Sequence, residues 1–315
     1  MPRAAVRARP VSPRRAPPAQ RPSRAAALPC SGPPAQRSLR AAVLLLYVNP
    51  VPKVTATVIT LNEAANIAAA LESLSWADEI IVVDSGSRDD TVAIARRFTD
   101  RVVVREWPGY IAQKNFAAEQ ASHDWIFSLD ADERVTPALA TEMRELLQDE
   151  PVVRGYRVPR VTFHLGRWIR STDWYPDYQL RLYDRRYARW AGRYVHESVK
   201  VDGPVAKLRN DLQHYAYRDI SHHLLSMDRY TTLAARQMYE DGRRAGWFDV
   251  LIHPRLAFFR NYVLRGGFRD GMPGLIVSAM NAYYVGLKFA KLWELCSPST
   301  STPHGPGAAD RTKSS

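Results

Sequence analysis

The alternation of predicted strands and helices in residues 53–133 constrains the fold more than any other feature of the sequence. The strand-like runs are KVTATVIT (53–60), EIIVVD (79–84), RVVVREW (101–107) and DWIFSLDADE (124–133). They are rich in β-branched and apolar residues, as buried strands are. Helical patterns separate them, over residues 62–76, 91–98 and 112–121. Such alternation forms βαβ units, so the sequence predicts an α/β fold with a mostly parallel sheet flanked by helices.

Polar residues follow three of these strands at the point where each strand ends. They are Thr60, Asn62 and Glu63 after the first, Asp84 after the second, and Asp130 and Asp132 after the fourth. In open parallel sheets, ligands bind outside the carboxyl ends of the strands. We therefore expect these side chains to line one site. Two readings stay open at several positions: Asn62 and Glu63 could begin a helix, and Asp84 could stabilise the turn after it.

Asp130 and Asp132 place two carboxylates near one point at the end of an apolar strand. A hard divalent cation, Mg²⁺ or Mn²⁺, relieves the repulsion between them and leaves coordination positions for substrate phosphates. The same tripeptide also occurs in ordinary turns and helix caps, so the spacing alone does not decide. Glu133 is interpreted as a residue that helps to start the next helix, over residues 136–148.

The remainder of the chain is mixed and then helical. Strands are predicted over residues 155–166 and 178–186, and a strand and turn pair over 188–203; helices follow over 222–242, 247–264 and 272–295. We therefore predict four parts: a disordered Arg/Pro-rich tail (1–50), an α/β domain (51–215), a helical C-terminal region (216–296) and a disordered tail (297–315).

The net charge of +12 is concentrated at the N-terminus, because the first 50 residues contain nine Arg and no Asp, Glu or Lys. The charge therefore gives no argument for nucleic-acid binding. That segment could be a basic arm on anionic lipid, an organelle presequence or translated upstream sequence. The run AAVLLLYV (41–48) is too short to span a bilayer, and no cleaved signal is predicted. Cys30 and Cys296 have no spaced partners, which argues against metal fingers and disulfides and for a reducing compartment.

Three segments carry a resemblance to a known family. They are VTATVITLNEAANIAAALESL, ADEIIVVDSGSRDDTVAIA and GYIAQKNFAAEQASHDWIFSLDADERV. These resemble the donor-binding half of family 2 inverting glycosyltransferases with the GT-A fold, and among them the bacterial lipopolysaccharide-core β-glucosyltransferases. The resemblance covers about residues 53–290. It implies metal-assisted transfer of a sugar, with glucose from a UDP-sugar as the leading expectation, onto a lipopolysaccharide-core or related glycolipid. A polyprenyl phosphate or polysaccharide acceptor and an inactive membrane-associated scaffold are the alternatives.

The resemblance also implies roles for individual residues. Thr60, Asn62 and Glu63 would surround the nucleotide, and Asp84 would bind the uracil or ribose. Lys114 and Asn115 would lie near the donor, and Asp132 with Asp130 would carry the metal and diphosphate. Separately, Arg181 and Arg185 lie on a strand-like, aromatic stretch, where contacts to phosphate or acceptor and surface salt bridges are both open.

Inverting transfer requires a general base to deprotonate the acceptor hydroxyl. Many relatives use an acidic residue of a Glu-Asp pair beyond the metal motif, and this chain has RYVHES instead. Glu197 is therefore the candidate base, with His196 as a metal or phosphate contact. Asp173 and Asp177 are the rivals, and a surface His-Glu pair is the non-catalytic alternative.

The C-terminal third interleaves arginines with aromatic residues: Arg255, Arg260, Arg265 and Arg269 with Phe258, Phe259, Tyr262 and Phe268. This mixture is typical of an interfacial helix, whose cations face anionic headgroups. A core helix that packs on the sheet is the alternative. We therefore expect a cytoplasmic protein, peripheral on the inner face of the bacterial inner membrane.

Overall fold

The computed structural model of the chain describes residues 51–149, 151–192 and 197–297. The predicted tails (residues 1–50 and the chain beyond 297) and the candidate site residue His196 lie outside these ranges.

Strands and helices alternate in the first part of the structure, and helices dominate the last part. The strands are β1 (Val54–Thr60), β2 (Glu79–Asp84), β3 (Val102–Val104), β4 (Trp125–Asp130), β5 (Glu133–Val135), β6 (Gly155–His164), β7 (Arg167–Ile169), β8 (Asp177–Asp184), β9 (Ala188–Ala191), β10 (Ser198–Val201), β11 (Val205–Lys207) and β12 (Leu212–His214). The α-helices are α1 (Ile67–Glu72), α2 (Thr91–Ala95), α3 (Tyr110–Glu119), α4 (Pro137–Leu146), α5 (Ile220–Glu240), α6 (Trp247–Phe259) and α7 (Gly271–Cys296).

The main sheet has the strand order β3-β2-β1-β4-β8-β6-β12-β5. The strands from β3 to β4 are parallel, as predicted from the alternating pattern. The pairing then becomes antiparallel, because β8 runs against both β4 and β6. The α/β prediction is therefore confirmed, with a parallel first half and a mixed second half.

The parallel half of the sheet is covered on both faces, which explains why its strands are apolar throughout. Along β4 the side chains alternate between two apolar clusters. Phe127 packs in the cluster that contains Leu71 of α1. Ile126 packs in the cluster that contains Ala117 of α3. These helices fix the sheet from opposite sides and leave the carboxyl ends of the strands to form a site.

The first helix is shorter than the sequence predicts. It begins at Ile67 with Asn66 at its N-cap position, so the reading of Asn62 as an N-cap is wrong. Asn62 instead has a left-handed φ of 55°. Its N–H donates to Ser87 Oγ at 2.8 Å, and its Oδ1 accepts from the Arg88 N–H at 2.8 Å. Asn62 therefore ties the loop after β1 to the loop after β2.

The C-terminal region is helical, as predicted, and α5 and α6 both pack against α7. A π-helical turn (Arg260–Leu264) continues α6, and a 3₁₀ turn (Gly267–Asp270) leads into α7. Only Ala257 of α6 is buried, although this helix is predominantly apolar. Within the described ranges, no helix combines the length and apolar character that crossing a bilayer requires.

Candidate active site

The register of the parallel strands brings three predicted site residues to one edge of the sheet. Thr60 at the end of β1 pairs with Asp84 at the end of β2. Ile59 of β1 pairs with Asp130 at the end of β4. The strand-end residues are therefore neighbours, as the sequence pattern predicts. We call this edge the strand-end lip, comprising Thr60, Asp84, Asp130 and the loop residues that follow them.

Asp84 shapes the lip through the turn that follows it. Its side chain is fully buried, and its Oδ1 accepts hydrogen bonds from the N–H groups of Gly86 (2.9 Å) and Ser87 (2.8 Å). The Ser87 hydroxyl donates to the other carboxylate oxygen. Gly86 has a φ of 88°, which a residue with a side chain rarely adopts. The turn-stabilising reading of Asp84 therefore holds, and a contact to a nucleotide stays a prediction.

Two buried polar atoms at the lip have no hydrogen-bond partner among the residues that the structure describes: Thr60 Oγ1 and Gln113 Oε1. Gln113 lies on α3, and its Nε2 donates to Ser85 Oγ at 3.2 Å, which places it beside the end of β2. Buried polar groups nearly always have a partner, so these atoms favour a bound ligand or water. Gln113 was not among the predicted site residues, although it lies within the quoted segment GYIAQKNFAAEQA.

Asp130 is held by two cations. Lys114 Nζ of α3 lies 2.8 Å from its Oδ1, and Arg181 Nη2 of β8 lies 2.6 Å from its Oδ2. Burial would raise the pKa of Asp130, but the charges of Arg181 and Lys114 outweigh it and hold that pKa well below its usual range. The structure thus brings Lys114 and Arg181 to Asp130, and both carboxylate oxygens of Asp130 are engaged.

The interpretation of Glu133 as a residue that only starts the next helix is wrong. Glu133 begins β5 and is fully buried, and its carboxylate contacts Arg181, Arg160 and the Asp130 N–H. Arg160 also pairs with Asp177 at 2.6 Å. Charges of opposite sign therefore alternate across the sheet, in what we call the charge ladder: Lys114, Asp130, Arg181, Glu133, Arg160 and Asp177. A buried carboxylate requires such partners, because desolvation of an unpaired charge is costly.

Asp132 has a different partner from Asp130. His214 Nε2 lies 3.3 Å from Asp132 Oδ2, and His214 Nδ1 lies 3.3 Å from the Thr162 hydroxyl. His214 is brought there by the pairing of β12 with β5, in which it faces Glu133. Burial would raise the pKa of Asp132, but His214 outweighs it and the pKa is lowered. The sequence reasoning missed His214, which lies about eighty residues beyond Asp132 and in no recognisable motif.

Asp132 and His214 bring a carboxylate oxygen and an imidazole nitrogen to the same point. Within the described ranges, no group of three His, Cys, Asp or Glu side chains could hold a metal. Carboxylate oxygen and imidazole nitrogen are both common metal ligands, and substrate phosphates usually supply the remaining positions for Mg²⁺ or Mn²⁺. Since Asp130 is engaged with Lys114 and Arg181, its predicted role as a ligand stays untested.

Glu63 and Asn115, two further predicted site residues, have different surroundings. The pKa of Glu63 is raised, chiefly by burial and also by Asp132 and Asp89, which places Glu63 near Asp132. Asn115 exchanges two hydrogen bonds with the backbone of Trp190 in β9, at 3.0 and 2.9 Å. Asn115 therefore positions the strand that leads toward Glu197.

Glu197 lies within electrostatic range of Tyr110 on α3 and Tyr230 on α5. Its Oε2 is buried and has no hydrogen-bond partner among the described residues. Tyr110 also lies within range of Asp130 and Asp132. Glu197 thus shares a region with the metal-motif carboxylates, as a general base would.

The rival carboxylates are bound in ion pairs. Asp173 pairs with Arg260 and with Arg265, the latter at 2.9 Å, and thereby joins the 3₁₀ turn Thr172–Trp174 to the end of α6. Asp177 is the last member of the charge ladder. These contacts favour structural roles for both residues. Arg185 donates to the carbonyl groups of Ala118 and Ala121, which also indicates a structural role.

Comparison with known proteins identifies the family. Residues 55–200 match the model for glycosyl transferase family 2. The lipopolysaccharide core biosynthesis glycosyltransferase LpsC of Rhizobium meliloti is 34% identical over 253 residues, which cover 78% of this chain and 94% of that protein. An uncharacterized glycosyltransferase of Rickettsia felis is 32% identical over 77% of this chain and 90% of its own length. Among solved structures, the mannosyltransferase PcManGT of Pyrobaculum calidifontis, with GDP-Man and Mn²⁺, is 16% identical with a TM-score of 0.47, covering 77% of this chain and 88% of that one.

The level of identity to LpsC, over nearly the whole of that relative, is sufficient to assign the family. The sequence prediction of a family 2 glycosyltransferase is confirmed. The chain belongs to glycosyltransferase family 2 and is a glycosyltransferase.

Proposed function

We propose that this enzyme transfers glucose from UDP-glucose, with inversion and with the help of a divalent cation, onto a lipopolysaccharide-core glycolipid. One observation carries the proposal: the unpartnered buried atoms of Thr60 and Gln113 lie on the same lip as the Asp132–His214 pair. The acceptor class follows from LpsC, whose name assigns it to lipopolysaccharide core biosynthesis.

The lip suits a nucleotide diphosphate donor. Thr60, Asn62 and Glu63 after β1 would offer donors and acceptors to a base and ribose. Asp84, whose carboxylate holds the turn after β2, would support this contact. Asp132 with His214 would hold the cation, whose charge would stabilise the diphosphate as a leaving group. Lys114 and Arg181 keep Asp130 ionised, and Asn115 holds β9 in place.

Glu197 supplies the base for the acceptor side. Its carboxylate accepts the proton of the acceptor hydroxyl while that oxygen bonds to the anomeric carbon. The bond from the anomeric carbon to the diphosphate breaks on the opposite face, which inverts the configuration. The buried, unpartnered Oε2 of Glu197 supports this role, because a carboxylate oxygen without a partner can receive a proton. The role of His196 stays a prediction.

The proposal includes peripheral binding at the cytoplasmic face of the bacterial inner membrane, where a lipid-linked acceptor would be presented. The support comes from α6, whose exposed residues include Trp247 (73% exposed), Phe248 and Phe259. Arg255 and Arg260 accompany these apolar side chains. Apolar and aromatic side chains with flanking arginines are typical of surfaces that bind anionic membranes.

A donor screen tests the function. UDP-, GDP- and CMP-sugars are compared by thermal shift and by donor hydrolysis, with Mn²⁺ or with EDTA. We expect metal-dependent stabilisation by UDP-glucose, and a protein that no nucleotide sugar stabilises would refute the proposal. Asp132→Ala should lose both the stabilisation and the turnover.

Glu197→Gln should keep donor binding and lose transfer, because the amide cannot accept the acceptor proton. Asp173→Asn is the matched comparison, because Asp173 is the rival carboxylate and is paired with Arg260 and Arg265; it should keep transfer. Normal transfer by Glu197→Gln would move the base elsewhere. Transfer to polyprenyl phosphate or polysaccharide instead of the core glycolipid would identify the alternative acceptors. Donor binding without any turnover would identify an inactive scaffold.

A further inference from the structure

We propose that Trp107 and Tyr110 form an aromatic ledge that stacks against a sugar ring of the acceptor, with Tyr230 on the facing wall. This inference rests on the proposed function, because it assigns the acceptor subsite of the same active site. These three rings belong neither to the charge ladder nor to the strand-end lip.

The position of Tyr110 follows from helix geometry. Tyr110 and Lys114 are four residues apart on α3, so their side chains lie on the same face of the helix, one turn apart. Lys114 reaches Asp130 at 2.8 Å. Tyr110 therefore lies one helical turn further out than the contact to Asp130, at the mouth of the site. Its pKa is raised by partial burial and also by Glu197, Asp130 and Asp132, which agrees with that position.

Trp107 is fixed against Tyr110 and remains accessible. The ring centroids are 4.7 Å apart, and the planes meet at 87°, so the edge of one ring contacts the face of the other. Gly109, with a φ of 106°, makes the turn that allows this contact. Trp107 is 38% exposed and Tyr110 is 37% exposed. Two large aromatic side chains that support each other and yet stay open to solvent form a rigid surface for a ligand.

Helix α5 supplies the facing wall. Tyr230 is 40% exposed and lies within electrostatic range of Tyr110 and Glu197. Arg229, the neighbour of Tyr230 on α5, lies within electrostatic range of both Tyr110 and Tyr230. Partial burial is the largest cause that raises the pKa of Tyr230, to about 12, and its phenol therefore stays protonated and can donate a hydrogen bond.

This combination matches the two-sided chemistry of a sugar. One face of a pyranose ring presents C–H groups, which an aromatic ring covers favourably, while the hydroxyl groups at the rim need hydrogen-bond partners. The ledge supplies the apolar surface, and Tyr230, Arg229 and Glu197 supply polar partners. Because Glu197 is the proposed base, a ring on the ledge would bring an acceptor hydroxyl to the group that deprotonates it.

The test uses a lipid-free probe, so that contacts to the membrane do not contribute. The probe is the delipidated, water-soluble core oligosaccharide prepared from lipopolysaccharide. For Trp107→Ala in the full chain, we expect the KM for this oligosaccharide to rise roughly tenfold, which is the loss of about one stacking contact. The Kd for UDP-glucose and its slow hydrolysis should not change. In the wild type, the oligosaccharide should also quench tryptophan fluorescence, and Trp107→Phe should restore most of the affinity.

Phe98→Ala is the matched control. Phe98 is similarly exposed, but it precedes β3 and so lies toward the amino end of that strand, whereas Trp107 follows the carboxyl end. An unchanged KM for the oligosaccharide in Trp107→Ala would overturn the ledge, as would a change confined to UDP-glucose. Failure of the wild type to bind or hydrolyse any nucleotide sugar would instead refute the proposed function. The two failures are therefore distinguishable.

Discussion

Glu133→Gln tests whether the charge ladder holds the site together. The fully buried carboxylate of Glu133 contacts three groups: Arg181, the Arg160 guanidinium at 3.1 Å and the Asp130 N–H at 3.1 Å. Glutamine has almost the same shape but carries no charge. The substitution therefore leaves the buried Arg181 and the half-buried Arg160 with one carboxylate fewer, without creating a cavity.

The expected loss of unfolding free energy depends on the partners that the two arginines keep. Removing one partner of a buried ion pair costs about 3–5 kcal/mol. Arg181 keeps Asp130 and Arg160 keeps Asp177 as partners, so the lower end of that range applies, at about 3 kcal/mol. For a domain of this size, such a loss lowers Tm by on the order of 10 °C. The Asp130 N–H would also lose its charged acceptor, so the metal-dependent stabilisation by UDP-glucose should weaken.

Urea unfolding and thermal unfolding of the full chain measure the effect. Asp124→Asn is the control, because Asp124 is 45% exposed and pairs with Arg186 at 3.3 Å on the surface. Its loss should cost about 1 kcal/mol or less. If Glu133→Gln unfolds at the same urea concentration as the wild type, the ladder does not stabilise the fold. If it is destabilised but binds UDP-glucose and metal normally, the ladder does not position the lip.

Two further predictions concern acid stability and membrane binding. His223 is buried against Tyr217 and His164, and this burial lowers its pKa to about 4. The neutral histidine therefore contributes its full stability above about pH 6.5, and this contribution is lost as the pH falls toward 4. Between about pH 7 and pH 5, the His223→Phe variant should lose about 2 kcal/mol less unfolding free energy than the wild type loses. Urea titrations that show the same pH dependence for both proteins would contradict a buried neutral histidine. The double substitution Trp247→Ser with Phe259→Ser should weaken co-sedimentation with phosphatidylglycerol-containing vesicles at least roughly tenfold, because two large apolar side chains no longer enter the bilayer. Tyr187→Ser, at an exposed aromatic residue between β8 and β9, should bind like the wild type. Equal binding of the double variant would exclude α6 as the docking surface.

The parallel half of the sheet was predictable because each of its strands can be identified from a short, continuous stretch of sequence. Each strand from β1 to β4 is a short apolar run that ends in polar residues. The position of each strand and the point where it ends can therefore both be seen in the sequence. The adjacency of Thr60, Asp84 and Asp130 then follows from the geometry of parallel strands, without any knowledge of side-chain contacts.

The partners of those residues were not predictable, because they come from distant strands. Arg160 and His214 reach the site through β6 and β12, whose pairing with β8 and β5 depends on the antiparallel half of the sheet. Glu133 illustrates the consequence. The nearby residues Thr136 and Pro137 do begin a helix, with Thr136 at the N-cap. The Glu133 side chain, however, binds Arg160 and Arg181, which are distant in sequence.

Residues at and just before helix α5 lie close to the strand-end lip, so the helical region would complete the proposed active site. Tyr217, just before α5, lies within electrostatic range of Asp132, and His222 lies within range of Glu63. Further along α5, Arg229 and Tyr230 face Tyr110 and Glu197. In the proposed function, the sheet would therefore supply the strand-end lip for the donor, and the start of the helical region would supply the opposite wall. From this arrangement we infer that the predicted boundary at residues 215–216 divides the fold but not the function, since a chain that ended there would keep the donor carboxylates and lose one wall of the acceptor site.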